Sequence, residues 1–169
     1  MHINGIVAID QNGAIGKGGS IPWHYPADMR FFREQTTGHA CVMGRRTWDS
    51  LKRPLKGRLN VVLSRSVAAV ERQAEEQDGQ LPQGGVIFLP DKRSVLALAP
   101  YLSCDLYVIG GVQIYTAFQS EIERWIVTEI PLAVEGADTF MPADFLRDFR
   151  PRTIRQLEDD LKVTFYERV

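Results

Sequence analysis

Apolar positions along the chain come in short runs separated by stretches with helical spacing. The runs Ile3–Ile9, Ala40–Met43, Leu59–Leu63, Gly85–Leu89, Leu106–Ile109 and Trp125–Ile130 read as strands. Several show no polar alternation, which predicts burial on both faces. Between them, Ala27–Glu34, Thr47–Leu51, Val95–Tyr101 and Val112–Phe118 carry the spacing of helices. Alternation of this kind predicts the α/β class: a three-layer sandwich with a mixed, mostly parallel central sheet and helices on both faces. The end of the chain differs. Arg152–Leu157 and Lys162–Arg168 are β-rich runs parted by Glu158–Asp160, so an antiparallel C-terminal hairpin is expected at one edge. The polar stretch Gln73–Gly85 reads as a surface loop.

Composition narrows the picture only a little. At 169 residues, 44% hydrophobic and 24% charged, the chain suits one globular domain over residues 1–169. A net charge of -1 argues against a general nucleic-acid binder. Positive charge is nevertheless concentrated in Arg45, Arg46, Arg53, Lys56, Arg58 and Arg65, either a solvated face or a cationic pocket for a small anion. Cys41 and Cys104 lie in apolar runs without paired spacing, which predicts buried free thiols. His2, His24 and His39 share no metal-ligand spacing, so no metal is expected. The N-terminus has no signal-like pattern and no run is long enough for a membrane span, making the cytoplasm the expected compartment.

Four stretches carry candidate chemistry. Gly13 to Asp28 has four glycines in seven positions, then Pro22-Trp23 and Pro26. Such a loop approaches a ligand closely, and Pro26 is placed to open a helix. Asp28 then falls in the first turn, where it either caps the helix or does something more. Its neighbours Trp23, Met29, Phe31 and Phe32 suggest a carboxylate on an apolar wall, costly unless hydrogen-bonded. Two adjacent N–H donors, as on the edge of a pterin or diaminopyrimidine, would satisfy it. Met43 to Trp48 turns a strand into a helix, with Gly44 permitting the turn; amides at that start, and Thr47, suit phosphate oxygens. Ile109-Gly110-Gly111-Val112 is a second strand–helix turn but not the dinucleotide fingerprint. Arg53 to Arg58 sets basic residues around Leu55. Each of these corners also has an ordinary structural reading.

Taken in order, Ile15-Gly16, Pro22-Trp23, Pro26-x-Asp28, Phe31-Phe32, Gly44-Arg45-x-Thr47-Trp48, Arg53-Pro54-Leu55, Gly57-Arg58, Leu63-Ser64 and Ile109-Gly110-Gly111 resemble the dihydrofolate reductase family over nearly the whole chain. The resemblance implies that fold, NADPH as cofactor, dihydrofolate as substrate and antifolates such as trimethoprim as inhibitors. It implies a monomer that supplies tetrahydrofolate for one-carbon metabolism. Asp28, Trp23 and Thr128 become the catalytic group, with Thr128 bonded to the acid and the pterin amino group. Ile6, Val7 and Phe32 would line the pterin, together with Ile109 and Tyr115. Leu51 and Leu55 would form the p-aminobenzoyl slot. Arg58 would take the glutamate α-carboxylate, with Arg53 nearer the surface.

For the cofactor, the resemblance implies that Ala8 meets the carboxamide and that Ile15, Gly16 and Ser20 belong to a loop closing over the nicotinamide. Gly44, Arg45, Arg46 and Thr47 would hold phosphates, with Arg45 near the 2′-phosphate. Leu63, Ser64 and Arg65 would face them from the next strand. The Gly110–Gly111 bond would be cis, with Val112, Ile114 and Tyr115 following on the helix. Gln113 departs from relatives that place a cation there, which leaves 2′-phosphate binding to Arg45 and Arg65. Gly18-Gly19, His24 and Tyr25 are further departures, bearing on loop rates and inhibitor affinity. A same-fold reductase of a ribosylated pyrimidine and a catalytically silent nucleotide-binding module are the rival readings. The Pro22-Trp23-x-x-Pro26-x-Asp28 element and Arg58 speak against the first, and the presence of Asp28, Phe32, Arg58 and Thr128 against the second.

Overall fold

A computed structural model describes residues 1–66 and 85–169. Two compact units emerge, one from residues 1–2 and 36–118, the other from 3–35 and 119–169.

The second of these contains β1 (Ile3–Ile9), β2 (Ala14–Gly16) and the helix α1 (Pro26–Thr36), whose last residue belongs to the other unit. It also holds β7 (Arg124–Glu129), β8 (Thr139–Phe140), β9 (Phe149–Glu158) and β10 (Leu161–Arg168). β1 runs parallel to β7, with Ala8 opposite Thr128; β7 and β9 are both antiparallel to β10. Burial follows the apolar runs, since five consecutive residues of β1 and four of β7 are buried. The predicted hairpin is present but β9 begins at Phe149, earlier than expected. Pro151 sits opposite Tyr166 beside a register shift, where the missing N–H is tolerated. β9 is exposed along most of its length, and Arg150, Arg152 and Arg155 keep this edge solvated.

β2 and β8 form a separate antiparallel pair that the apolar pattern did not announce. Strands of two or three residues have no readable period. Pro26 opens α1 as expected, and Asp28 lies in its first turn.

The other unit is a parallel set in the order β5-β4-β3-β6: β5 (Val86–Leu89), β4 (Leu59–Leu63), β3 (Ala40–Gly44) and β6 (Leu106–Gly110). β3, β4 and β6 are buried on both faces, as unalternated apolar runs require. The helix α2 (Arg45–Ser50) starts two residues before the predicted Thr47, directly after Gly44. The next helix, α3 (Lys92–Leu98), also starts early. Asp91 caps it, accepting the Ser94 N–H at 2.8 Å, and a 3-10 turn covers Ala99–Tyr101. The last, α4 (Val112–Phe118), has its predicted bounds. Cys41 is buried as expected, whereas Cys104 is half-buried. Of the predicted surface loop, residues 73–84 lie outside the described residues.

Candidate active site

The acid identified from sequence has a specific partner. Thr128 donates its hydroxyl to Asp28 Oδ1 at 2.7 Å, although the two are a hundred positions apart. Burial pushes the Asp28 carboxyl above its ordinary range, and the Thr128 hydrogen bond opposes that push without cancelling it. Thr128 reaches this place because β7 pairs in register with β1, on which Ile6 and Val7 are buried and Ala8 half-buried. Trp23 and Tyr25 pack with Ala8 against Ala27, Ile130 and Leu161, beside the start of α1. Phe32 is half-buried. The expected apolar wall needs correcting in one respect: Met29 is 56% exposed and belongs to the outer face of the helix. Phe31 is buried, its ring meeting the edge of Phe165 at 6.1 Å.

The glycine-rich stretch before that helix is more ordered than a bare loop. Ile15 and Gly16 lie in β2. Gly18 and Gly19, with φ of 58° and 80°, form a two-residue turn closed by reciprocal backbone hydrogen bonds between Lys17 and Ser20. Positive φ at both central residues is the hairpin geometry that glycine alone enters freely. Gly18 N–H donates to Asp138 Oδ2 at 2.8 Å, and Lys17 Nζ to the Glu135 carbonyl at 2.7 Å. Ser20 is exposed.

In the unit built on β3 to β6, Arg58 is only 6% exposed. Its Nη1 donates to Thr36 Oγ1 at 3.1 Å and its Nε to the Lys56 carbonyl at 3.1 Å. Burial pushes the nearby Cys41 thiol up to about 12, against the Arg58 charge and a hydrogen bond with Thr36. Leu51 and Leu55 are half-buried and Arg53 exposed, as expected. Asn60 was not anticipated. Fully buried in β4, it accepts the Leu55 N–H and donates to the carbonyls of Leu55 and Arg58, fixing the segment that carries the arginine. Its signal was a lone amide inside the apolar run Leu59–Leu63.

The phosphate-type corner lies at the ends of β3, β4 and β6. Gly44 has φ of -79°, open to any residue, so the turn itself does not require glycine. Close approach does: a Cβ there would sit 3.0 Å from Ile114 Cγ1. Arg45 bonds Asp49 through Nε at 2.9 Å, while Arg46 and Arg65 are exposed and Ser64 is buried. Thr47 faces the Gly110-Gly111 turn, where a Cβ on Gly111 would meet its hydroxyl at 3.9 Å. The Gly110–Gly111 bond is cis, as the resemblance implied. Gly110 has φ of 117°, and a side chain on it would press on the ring of the buried Tyr115 at 3.2 Å. Leu63, Ile109, Val112 and Ile114 are half-buried and Gln113 is exposed. A side-chain-free backbone beside a hydroxyl and several arginines is a donor set that fits a phosphorylated dinucleotide. Among the described residues, no cluster of three or more His, Cys, Asp or Glu could hold a metal ion.

Asp10 also escaped the sequence reading. It is buried, and its two oxygens accept N–H groups of Asn12, Ala14 and Val134, each at 2.8 Å. Burial opposes ionisation here too, but the three backbone donors outweigh it and hold the carboxyl below its ordinary value.

Comparison with known proteins agrees with this geometry. The family model described as dihydrofolate reductase matches residues 2–167. Dihydrofolate reductase type 3 of Salmonella typhimurium is 41% identical over 147 residues, covering 86% of this chain and 81% of its own. The dihydrofolate reductase of Mycobacterium tuberculosis is 40% identical, covering 78% and 74% respectively. Among solved structures, dihydrofolate reductase from Enterococcus faecalis complexed with NADP(H) and RAB-propyl superposes with a TM-score of 0.79. It shares 26% identity and covers 99% of this chain and 96% of that one. With one family model spanning both units, and relatives matched along most of their length, the chain belongs to the dihydrofolate reductase family.

Proposed function

We propose that this chain, acting as one domain over residues 1–169, is an NADPH-dependent dihydrofolate reductase in which Asp28 anchors the pterin. The observation that carries the site assignment is the Thr128–Asp28 hydrogen bond at 2.7 Å, which among the described residues is the one donor to a half-buried carboxylate. The N–H groups on one edge of a pterin supply what is missing. NADPH, when bound, supplies the hydride for C6 of the dihydropterin.

Every other task falls to the chain itself. Asp28 holds the pterin edge and, as an anion, favours the N5-protonated form. Trp23 shelters the water that brings the proton to N5. Ile6, Val7 and Phe32 exclude bulk solvent around the ring, which strengthens these electrostatic effects. Arg58 takes the α-carboxylate of the glutamate tail, with its guanidinium already fixed by Thr36 and Lys56. Arg45, Ser64 and Arg65 would hold the 2′-phosphate. The Gly44–Thr47 and Gly110–Ile114 corners would hold the diphosphate, and Ala8 and the Gly16–Ser20 turn would meet the nicotinamide.

Activity is measured as loss of NADPH absorbance with dihydrofolate. Turnover is expected, and turnover only with a ribosylated pyrimidine would replace this reading by its rival. Truncating one partner of a buried charge pair costs about 2–5 kcal/mol. Arg58→Ala is therefore expected to raise the dihydrofolate KM far more than it lowers kcat, and an unchanged KM contradicts the role given to Arg58. The chain works as a cytoplasmic monomer, and antifolates are the inhibitor class its pterin site would take. A net charge of -1 gives it little pull on nucleic acid, and no described helix is long and apolar enough to cross a membrane.

A further inference from the structure

The cation assigned to the 2′-phosphate already has an anionic neighbour. Arg45 opens α2, and one turn later the same helix presents Asp49, whose Oδ1 lies 2.9 Å from Arg45 Nε. The guanidinium carbon also sits 6.0 Å from the centre of the Phe88 ring, which in turn meets Trp48 edge-on at 5.9 Å. Aromatic packing and the carboxylate therefore both bear on where the charge of Arg45 lies. The two side chains remain 40% and 57% exposed, so the pair is well hydrated and easily opened.

We infer that Asp49 is a specificity-determining residue: its carboxylate competes with the 2′-phosphate for Arg45 and so sets how strongly this chain prefers NADPH to NADH. The inference rests on the placement of the 2′-phosphate at Arg45. A phosphate monoester near neutral pH carries close to two negative charges. It is drawn to Arg45 and repelled by the acid beside it, while NADH, lacking that group, is indifferent to both. The opposing charge matters more here because Gln113 supplies no cation. Asp49 thus lowers discrimination without touching the reacting atoms.

The test compares the dissociation constants of NADPH and NADH for the intact enzyme, Asp49→Asn and Arg45→Ala, at low and high salt. Removing an exposed like charge next to the phosphate is expected to tighten NADPH about three- to fivefold at low salt. NADH should be unchanged, and the gain should shrink as salt rises. Arg45→Ala should weaken NADPH alone. If Arg45→Ala weakens NADPH while Asp49→Asn leaves it unchanged or weaker, Asp49 is not a competitor and this inference is wrong. If Arg45→Ala leaves NADPH unaffected, the placement of the 2′-phosphate fails, and the role of Asp49 with it.

Discussion

Asp10 and Asp28 are two carboxylates in the same unit, one just after β1 and one opening α1, and their surroundings drive them in opposite directions. Asp10 is 3% exposed and takes three backbone N–H groups at 2.8 Å. Its charge is satisfied by the fold, and its carboxyl lies below the ordinary range despite burial. Asp28 is pushed upward by burial, and its one donor among the described residues, the Thr128 hydroxyl, does not offset that push. Desolvation and donor supply together separate them: burial prevails at Asp28, and three backbone donors outweigh it at Asp10. A carboxylate saturated by backbone amides organises the chain around it, whereas one left short of donors is prepared to receive them from a ligand.

The largest effect expected from this contrast is on rate. Asp28→Asn removes the charge while keeping the shape, and should cost about two to four decades in turnover of dihydrofolate at neutral pH. Full activity in that variant would break the comparison. The same substitution should leave stability at neutral pH equal or higher, since a folded carboxyl raised above its unfolded value destabilises the fold once ionised. Thermal unfolding at neutral and acidic pH checks this, with the advantage of the variant shrinking as pH falls below the Asp28 transition.

Asp10 should behave in the reverse manner. Asp10→Ala leaves three N–H groups without their acceptor and is expected to cost about 3 kcal/mol of stability, read from denaturant unfolding. Because its folded carboxyl is depressed, the stability it contributes is present above the unfolded value near 3.9 and is lost as pH falls through the folded one. An Asp10 variant that unfolds normally but loses turnover as Asp28→Asn does would merge the two roles. A smaller effect is expected at Thr128. Thr128→Val removes the hydrogen bond that holds the Asp28 carboxyl down, so the Asp28 transition, followed by NMR titration of its carboxyl, should move to higher pH. A shift in the opposite direction would show that the hydroxyl serves the protonated acid instead.

Much of this was readable in the sequence, for identifiable reasons. β1, β4 and α4 have the bounds predicted, because each is an apolar or periodic run with a polar or glycine residue at its border: Asp10 after β1, Ser64 after β4 and Gly111 before α4. Asp28 stood out through its company, and Arg58 and Thr128 through the ordered family motifs. Asp10 did not, because its distant donor, Val134, is 124 positions away and is a backbone group that no side-chain pattern reveals. Asp10-Gln11-Asn12-Gly13 has the composition of an ordinary turn. The helix starts at Arg45 and Lys92 were missed for different reasons: Asp91 caps the second and was an available signal, whereas the first begins directly after Gly44 with no side-chain cap to mark it. Asp49 lay in view as an i,i+4 partner of Arg45, but its position beside a candidate phosphate cation acquires meaning only with the fold.

The most direct measurement is a crystal structure of the chain with folate and NADP⁺ bound. The expected result has the 2-amino group and the adjacent ring N–H of the pterin on the two oxygens of Asp28, with Thr128 still bonded to the acid. A heterocycle resting anywhere else, with Asp28 facing only protein and water, would contradict the account.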